Sequence, residues 1–446
     1  MFTLLSPSRR QEILTLWSRA WPIILSNASI PLLGLVDTAV LGHTPDSRYL
    51  AGVALGAVVF SFLYWGLGFL RMGTTGLMAL ASGRQDSAAM SRLLLQSLTL
   101  ALVLGLLLQG VRPWLGEVIS WLDGSAEAQQ LATDYASLRL WSAPAVLIQY
   151  VVLGCALGLG KTRIVLLLLV VANSLNILLD LIFVLGLGMA SQGVALATLI
   201  AEVSAALLGS VWLAREAKIL GLGWPASWSE ASQGWAQLLR VNRDLMLRTL
   251  TLLLALAFFT RQGAQQGNVV LAANALLMQI IMLSSYLLDG LAQAIEGRFG
   301  QAYARDQQEA VRVVQAGILL SFGTGFAITL MIGLGGESLI QLLTQLPEVQ
   351  ETARQFLPWL WLILPLSVAS YLFDGVFIGA TWTQAMRDTL FFSAFGYLLI
   401  WWLLTPWGNH GLWMAFLWLN TLRGLSLGWL LYRRLPAVFV WRSTPS

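Results

Sequence analysis

The chain has 446 residues, 57% hydrophobic and only 11% charged, with a net charge of +4 and a mean hydropathy of +0.73. A soluble domain carries about 25% charged residues, so this chain cannot cover a water-facing surface, which excludes a soluble enzyme, a nucleic-acid binder and a disordered scaffold. One cysteine, Cys155, rules out an internal disulfide or a Cys-rich metal site, and two histidines, His43 and His410, leave little for imidazole catalysis.

About 20 apolar residues suffice for a helix to cross a bilayer. Twelve such spans are predicted, near 13–42, 50–78, 92–113, 132–158, 163–187, 191–215, 244–265, 269–297, 311–334, 354–380, 387–406 and 410–432. The chain reads as an all-α polytopic membrane protein. Span one follows Arg9, Arg10 and Arg19, has no small-residue cleavage site, and reads as a retained span. It holds Pro22, a candidate hinge, and Asp37. The loop after span three is acidic, with Glu117, Asp123 and Glu127. Span five carries Asn176 and Asp180, one turn apart on one helix face. Span six carries Thr198 and Glu202. Span eight holds Asp289 and Glu296, span ten Asp374, and span twelve Arg423, whose expected partner is Asp374 or Asp289.

Lys and Arg alternate strongly from loop to loop. Arg84, Arg92, Lys161, Arg163, Arg215, Lys218, Arg240, Arg243, Arg298, Arg305, Arg312, Arg387, Arg433, Arg434 and Arg442 fall on one side with the N-terminal arginines. By the positive-inside rule that side is cytoplasmic, with both termini there. The predicted location is a bacterial inner membrane.

The longest polar connector, 216–243, divides the chain into a lobe at 1–215 and a lobe at 244–446. Pro144, Tyr150, Gly154, Gly158 and Thr162 of span four recur 221 residues later as Pro365, Tyr371, Gly375, Gly379 and Thr383. Six spans is an even number, so the halves are parallel repeats. The expected architecture is two pseudo-symmetric six-helix bundles with a central cleft.

Ionisable groups at membrane depth are costly and default to function. At about 1.5 Å per residue, Asp37, Asp180 and Thr198 share one level, about 8–10 Å below the outer surface. Two carboxylates, the Asn176 amide and the Thr198 hydroxyl form a candidate cation site. Hard oxygen ligands of this kind suit a proton, or Na⁺ at the same four residues. Two close carboxylates in low dielectric do not both ionise easily, so the pair can hold and release a proton. Asp374, Asp289 and Arg423 form a second candidate polar site. On span seven, Arg261 and no acid stands near where Asp37 would recur (Phe258 at the 221-residue spacing), so the ion site is expected in one bundle only. The phosphate-loop-like Gly158-Leu-Gly160-Lys161-Thr162 follows an apolar helix and lacks the first glycine, and the sequon at Asn27 lies inside span one.

Pro22 with Pro31-Leu-Leu-Gly-Leu-Val-Asp37-Thr-Ala-Val-Leu-Gly42-His43 resembles the first helix of the multidrug and toxic compound extrusion (MATE) transporters, especially their DNA-damage-inducible F (DinF)-like branch. Asn173-Ser-Leu-Asn176-Ile-Leu-Leu-Asp180 resembles the fifth helix, Gly193-Val-Ala-Leu-Ala-Thr198 the start of the sixth, and Gly300-Gln-Ala-Tyr303 the loop after the eighth. In the first loop, Met78-Ala-Leu-Ala-Ser-Gly83 lacks a Gln that many relatives carry. The resemblance implies efflux of small amphipathic, often cationic compounds, coupled to H⁺ or Na⁺, with Asp37 the proton-responsive carboxylate. No cofactor, enzymatic step or nucleic-acid partner is expected; membrane lipid is the solvent and the chain is expected to be a monomer. The alternative is a lipid or lipid-linked precursor flippase of the same superfamily. It would want several basic residues in the cleft for phosphate, where the sequence offers Arg71, Arg139 and Arg423.

Overall fold

The computed structural model describes residues 7–42, 46–122, 124–223, 225 and 227–440. His43, Asp123 and Arg442 lie outside the described residues. All regular structure among the described residues is helical. In hydrocarbon every backbone polar group must be satisfied within its own segment, which favours long uninterrupted helices.

The spans in chain order are α1 (Pro7–Gly42), α2 (Arg48–Gly83), α3 (Ser87–Gln109), α4 (Ala126–Gly158), α5 (Thr162–Gly186), α6 (Ala190–Ile219), α7 (Trp235–Ala264), α8 (Asn268–Arg305), α9 (Gln307–Leu343), α10 (Pro347–Gly379), α11 (Thr383–Leu404) and α12 (Gly408–Arg434). Nine stretches among the described residues are long and apolar enough to cross a membrane; the 52-residue stretch Thr383–Arg434 contains both α11 and α12, and α1 and α7 complete the predicted twelve. Short polar side chains start several of them. Asp86 accepts from Ala89 N–H at 2.8 Å, and Asp306 accepts from Glu309 N–H at 2.9 Å, satisfying N–H groups that have no intrahelical acceptor.

The helices form two compact units. One is Ala28–Asn242; the other is Arg243–Ser446 together with Met1–Asn27. Helix α1 is thereby shared, although its helical backbone runs unbroken through Pro22 from Pro7 to Gly42. The first half of α1, which the sequence reading assigns to the first lobe, makes its contacts in the second unit. Ile24 meets Gly290, Asn27 Nδ2 donates to the Tyr286 carbonyl at 3.3 Å, and Glu12 pairs with Arg298. The connector after α6 belongs to the first unit.

The internal repeat is visible in the packing of each unit. A methyl group added at Gly154 or Gly158 of α4 would strike the carbonyl oxygens of Arg71 or Thr75 on α2, at 2.7 and 2.8 Å. Added at Gly375 or Gly379 of α10, it would strike those of Ala292 or Glu296 on α8. All four pairs obey the same 221-residue spacing. Tyr150 Oη donates to the Tyr64 carbonyl at 3.1 Å, and at the same spacing Tyr371 Oη meets Ser285 Oγ at 2.6 Å. The helices also end alike. Lys161 N–H reaches the Ala156 carbonyl at 2.7 Å, and Trp382 N–H reaches Phe377 at 2.8 Å. The preceding residues are left-handed in both units: Gly160 at φ +74° and Thr381 at φ +57°.

The first unit's core gathers Phe60, Ile119, Tyr135, Val184 and Val194, and the second's gathers Phe259, Leu277, Leu360, Trp413 and Phe416. Outward faces stay apolar, with Leu334 83% and Phe326 70% exposed, as suits a surface solvated by lipid.

Candidate functional site

Helix α5 changes form beyond Asp180. It is α-helical through Asp180, then widens into a π turn over Leu181–Gly186, with Leu187 N–H reaching back to Ile182 at 2.9 Å. Wide turns of this kind cluster at functional positions. Here the turn lies directly beyond the fully buried Asp180.

Four side chains foreseen as the cation site come together. The Asp37 and Asp180 carboxyl groups lie close enough to act directly on each other. Asn176 sits one turn before Asp180. Its amide satisfies both ends when the nitrogen donates to Asp180 Oδ2 at 3.2 Å and the oxygen accepts from Thr198, from Oγ1 at 3.1 Å and from N–H at 3.2 Å. Thr198 Oγ1 is also within 2.9 Å of the Val194 carbonyl. Asn176 and Thr198 are buried. Asp37 Oδ1 and Asp180 Oδ1 have no donor among the described residues. The cluster therefore presents carboxylate, amide and hydroxyl oxygens, a donor set for a proton or a small hard cation.

A second group borders this cluster. Arg139 Nη2 donates to Glu202 Oε1 at 2.5 Å and Arg139 Nη1 to Tyr135 Oη at 3.2 Å, and the guanidinium lies 4.8 Å from the Phe60 ring centroid. Its charge, and the Tyr135 hydroxyl, lie within electrostatic range of Asp37. The sequence reading gives Glu202 no partner; in the structure it pairs with Arg139, in its own unit. The available signal was that an acid and a base both stood unmatched in the first six spans.

In the second unit Asp374 resolves the partner of Arg423. Arg423 Nη2 and Arg248 Nη2 both donate to Asp374 Oδ2, and all three side chains are buried. Arg248 lies inside span seven and is buried; the sequence reading, which names only Arg71, Arg139 and Arg423 within spans, misses it. Asp289 is close enough to act on both guanidiniums and on Tyr371. Of the second candidate polar site, Asp374 and Arg423 thus make a direct ion pair and Asp289 flanks it.

The remaining sequence features find structural partners. Lys161 pairs with Glu216 at 3.2 Å, and Ser26 Oγ donates to the Pro22 carbonyl at 3.0 Å. No group of three or more His, Cys, Asp or Glu side chains suited to a metal occurs among the described residues.

Comparison with known proteins agrees with this architecture. The MatE family model matches twice, over residues 22–182 and 246–407, one match to each half of the repeat. The chain is 42% identical over 416 residues to the DNA damage-inducible protein F of Escherichia coli (strain K12), covering 92% of this chain and 90% of that one. It is 26% identical to the probable multidrug resistance protein NorM of Thermotoga maritima, covering 86% and 81%. A MATE crystal structure in the bent conformation superposes with a TM-score of 0.86 at 21% identity, covering 97% of this chain and 98% of that one, which speaks for the fold alone. The chain belongs to the MatE family of multidrug efflux transporters.

Proposed function

We propose that this transporter exports small amphipathic, mainly cationic organic compounds in exchange for H⁺, with the Asp37–Asp180 pair as the coupling element. The observation that carries the reading is the close approach of two carboxyl groups, Asp180 fully buried, each with an oxygen that no donor among the described residues meets. A proton shared between them satisfies both. Removing it leaves two neighbouring negative charges in low dielectric, which repel. The pair is thus a two-state element: protonated it holds α1 against α5, and deprotonated it releases α1 or takes a cation in the proton's place.

The Asp37 half of α1 moves in this mechanism. Residues through Asn27 belong to the second unit and those beyond to the first, so Pro22 and the segment after it lie where a bend would be absorbed. A proton from outside closes the pair, α1 shifts, and the substrate is released outward. This is a population shift driven by differential proton affinity. Na⁺ is the alternative occupant of the same oxygens. The Lys/Arg-rich loops support cytoplasmic termini in a bacterial cell, and the proposed working unit is the monomer. The substrate class rests on relatives named for multidrug resistance and export.

A phosphate-carrying flippase fits less well. Arg139 is paired with Glu202, and Arg248 and Arg423 share Asp374 with Asp289 nearby, so each of these guanidiniums is already engaged by an acid.

The test is dye efflux from vesicles driven by a pH gradient, with and without Na⁺ at fixed pH. Asp37→Asn and Asp180→Asn are expected to abolish gradient-driven efflux at equal protein level. Wild-type efflux by Asp37→Asn would overturn the proposal, and strict Na⁺ dependence would transfer the pair from H⁺ to Na⁺.

A further inference from the structure

Each half of the chain carries an apolar groove toward the Lys/Arg-rich end of its helices, and each groove is roofed in the same way. In the first unit a groove of about 380 Å³ runs between α3 and α6, walled by Leu94, Leu95 and Leu98 on one side and Leu213, Ala214 and Ala217 on the other. Its roof is the chain leaving α6 at Leu222 and Gly223. That connector is held down by buried Gln96 of α3, whose Nε2 donates to the carbonyls of Ala231 at 2.8 Å and Gln233 at 2.7 Å.

In the second unit a groove of about 530 Å³ runs between α9 and α12 over α10, lined by Phe322, Leu366, Phe373, Leu425 and Trp429. Its roof is the chain leaving α12, with Phe439 facing in. Buried Gln315 of α9 holds that segment by donating from Nε2 to the carbonyls of Val438 at 3.1 Å and Val440 at 3.3 Å. Gln96 and Gln315 stand 219 residues apart, close to the repeat spacing. The wall residues differ between the halves, Leu and Ala in one and mainly aromatic in the other, while the groove, the roof and the glutamine clamp recur.

A basic side chain stands at each groove: Lys218 lines the first, and Arg433 lies over Trp429, which lines the second. Lys218 is exposed and lines the first groove, and it has no ion-pair partner among the described residues; the neighbouring Glu216 is taken by Lys161. Arg433 is exposed, lies 4.8 Å from the Trp429 ring centroid, and has no carboxylate partner among the described residues. Apolar walls suit a hydrocarbon chain, volumes of this size suit a bound organic ligand, and basic side chains at this end of membrane helices attract anionic headgroups.

We propose that each groove binds an anionic phospholipid from the surrounding leaflet, with one acyl chain under the roof and the phosphate at Lys218 or Arg433. The bound chain fills space that no side chain fills, and it fixes the segment leaving the sixth helix of each half.

The test is native mass spectrometry of the full chain released from mixed micelles holding equal phosphatidylglycerol and phosphatidylcholine. Wild type is expected to retain phosphatidylglycerol preferentially, at two sites per chain. Lys218→Glu and Arg433→Glu each lower that retention at one site about fivefold, roughly the influence of one basic residue at an anionic surface. Ala214→Trp, at an exposed wall position, fills the first groove and removes one site for both lipids. Equal retention of the two lipids by wild type would overturn the proposal. So would unchanged retention in Lys218→Glu and Ala214→Trp, or displacement of the lipid by a cationic dye. Asp37→Asn is expected to retain lipid like wild type, so this test stands or fails apart from the coupling mechanism.

Discussion

Arg423 on α12 donates to Asp374 Oδ2 on α10, the same oxygen that receives Arg248 from α7. One buried carboxylate thus bridges two guanidiniums and ties three helices of the second unit. An acid engaged in this way is a poor ligand for a coupling cation, which leaves the Asp37–Asp180 pair as the candidate site. Asp374→Asn strands both arginines and is expected to cost roughly 3–5 kcal/mol of stability. Arg423→Met keeps the Arg248–Asp374 pair and is expected to cost less than half as much. Thermal unfolding in micelles of one detergent measures both, and equal losses would contradict the shared-carboxylate arrangement.

Thr381 offers a prediction of opposite sign. It occupies the left-handed position that closes α10, where the repeat partner closing α4 is Gly160. A β-branched residue there is strained by about 1–2 kcal/mol relative to glycine. Thr381→Gly is therefore expected to raise the unfolding midpoint, while Gly160→Thr lowers it. Both variants keep the hydrogen bonds that end these helices, which run from Lys161 and Trp382, so the difference isolates backbone strain.

That repeat was legible because glycine has a single geometric use where helices cross this closely. Gly154, Gly158, Gly375 and Gly379 could be aligned from spacing alone, and each meets a carbonyl at the matching position. The level of Asp37, Asp180 and Thr198 was equally accessible, since rise per residue converts position into depth. Partner choice was not accessible. Glu202 meets Arg139 and Asp374 meets two arginines because of helix rotation and neighbour identity, which spacing along one helix does not encode. Gln96 and Gln315 read as ordinary polar residues near span ends. Only the fold brings the returning chain over them, so both grooves stayed hidden in the sequence.

Asn176 should matter more than Thr198. Its amide links Asp180 Oδ2 to Thr198, so Asn176→Leu leaves a buried carboxylate oxygen without its donor. A hydrogen bond to a charged group contributes about 1.5–3 kcal/mol, so efflux is expected to fall about tenfold or more. Thr198→Val keeps the backbone N–H that also faces the amide and is expected to fall only a few-fold. Initial rates of dye efflux at one pH gradient decide the order, and a more severe defect in Thr198→Val would show that the hydroxyl, not the amide, supports the pair.

The N-terminal half of α1 is fastened by a charge cluster in the second unit. Arg298 on α8 grips Glu12 with Nε at 2.5 Å and Nη2 at 2.9 Å, and its Nη1 reaches Glu309 at 2.6 Å. Arg19 adds a 3.1 Å bond to Gln301 Oε1. A planar guanidinium can hold two carboxylates in this geometry, whereas an ammonium cannot reproduce the fork. Arg298→Lys is therefore expected to behave much like Arg298→Met, loosening residues 8–21. Hydrogen exchange there should quicken about tenfold, while residues 28–42, which belong to the other unit, stay unchanged. If α1 transmits movement of Asp37 by bending beyond a fixed base, both variants should also weaken coupling, passing dye with less dependence on the pH gradient. Faster exchange along the whole of α1 would mean instead that the helix moves as one rod, with no bend between Pro22 and Asp37.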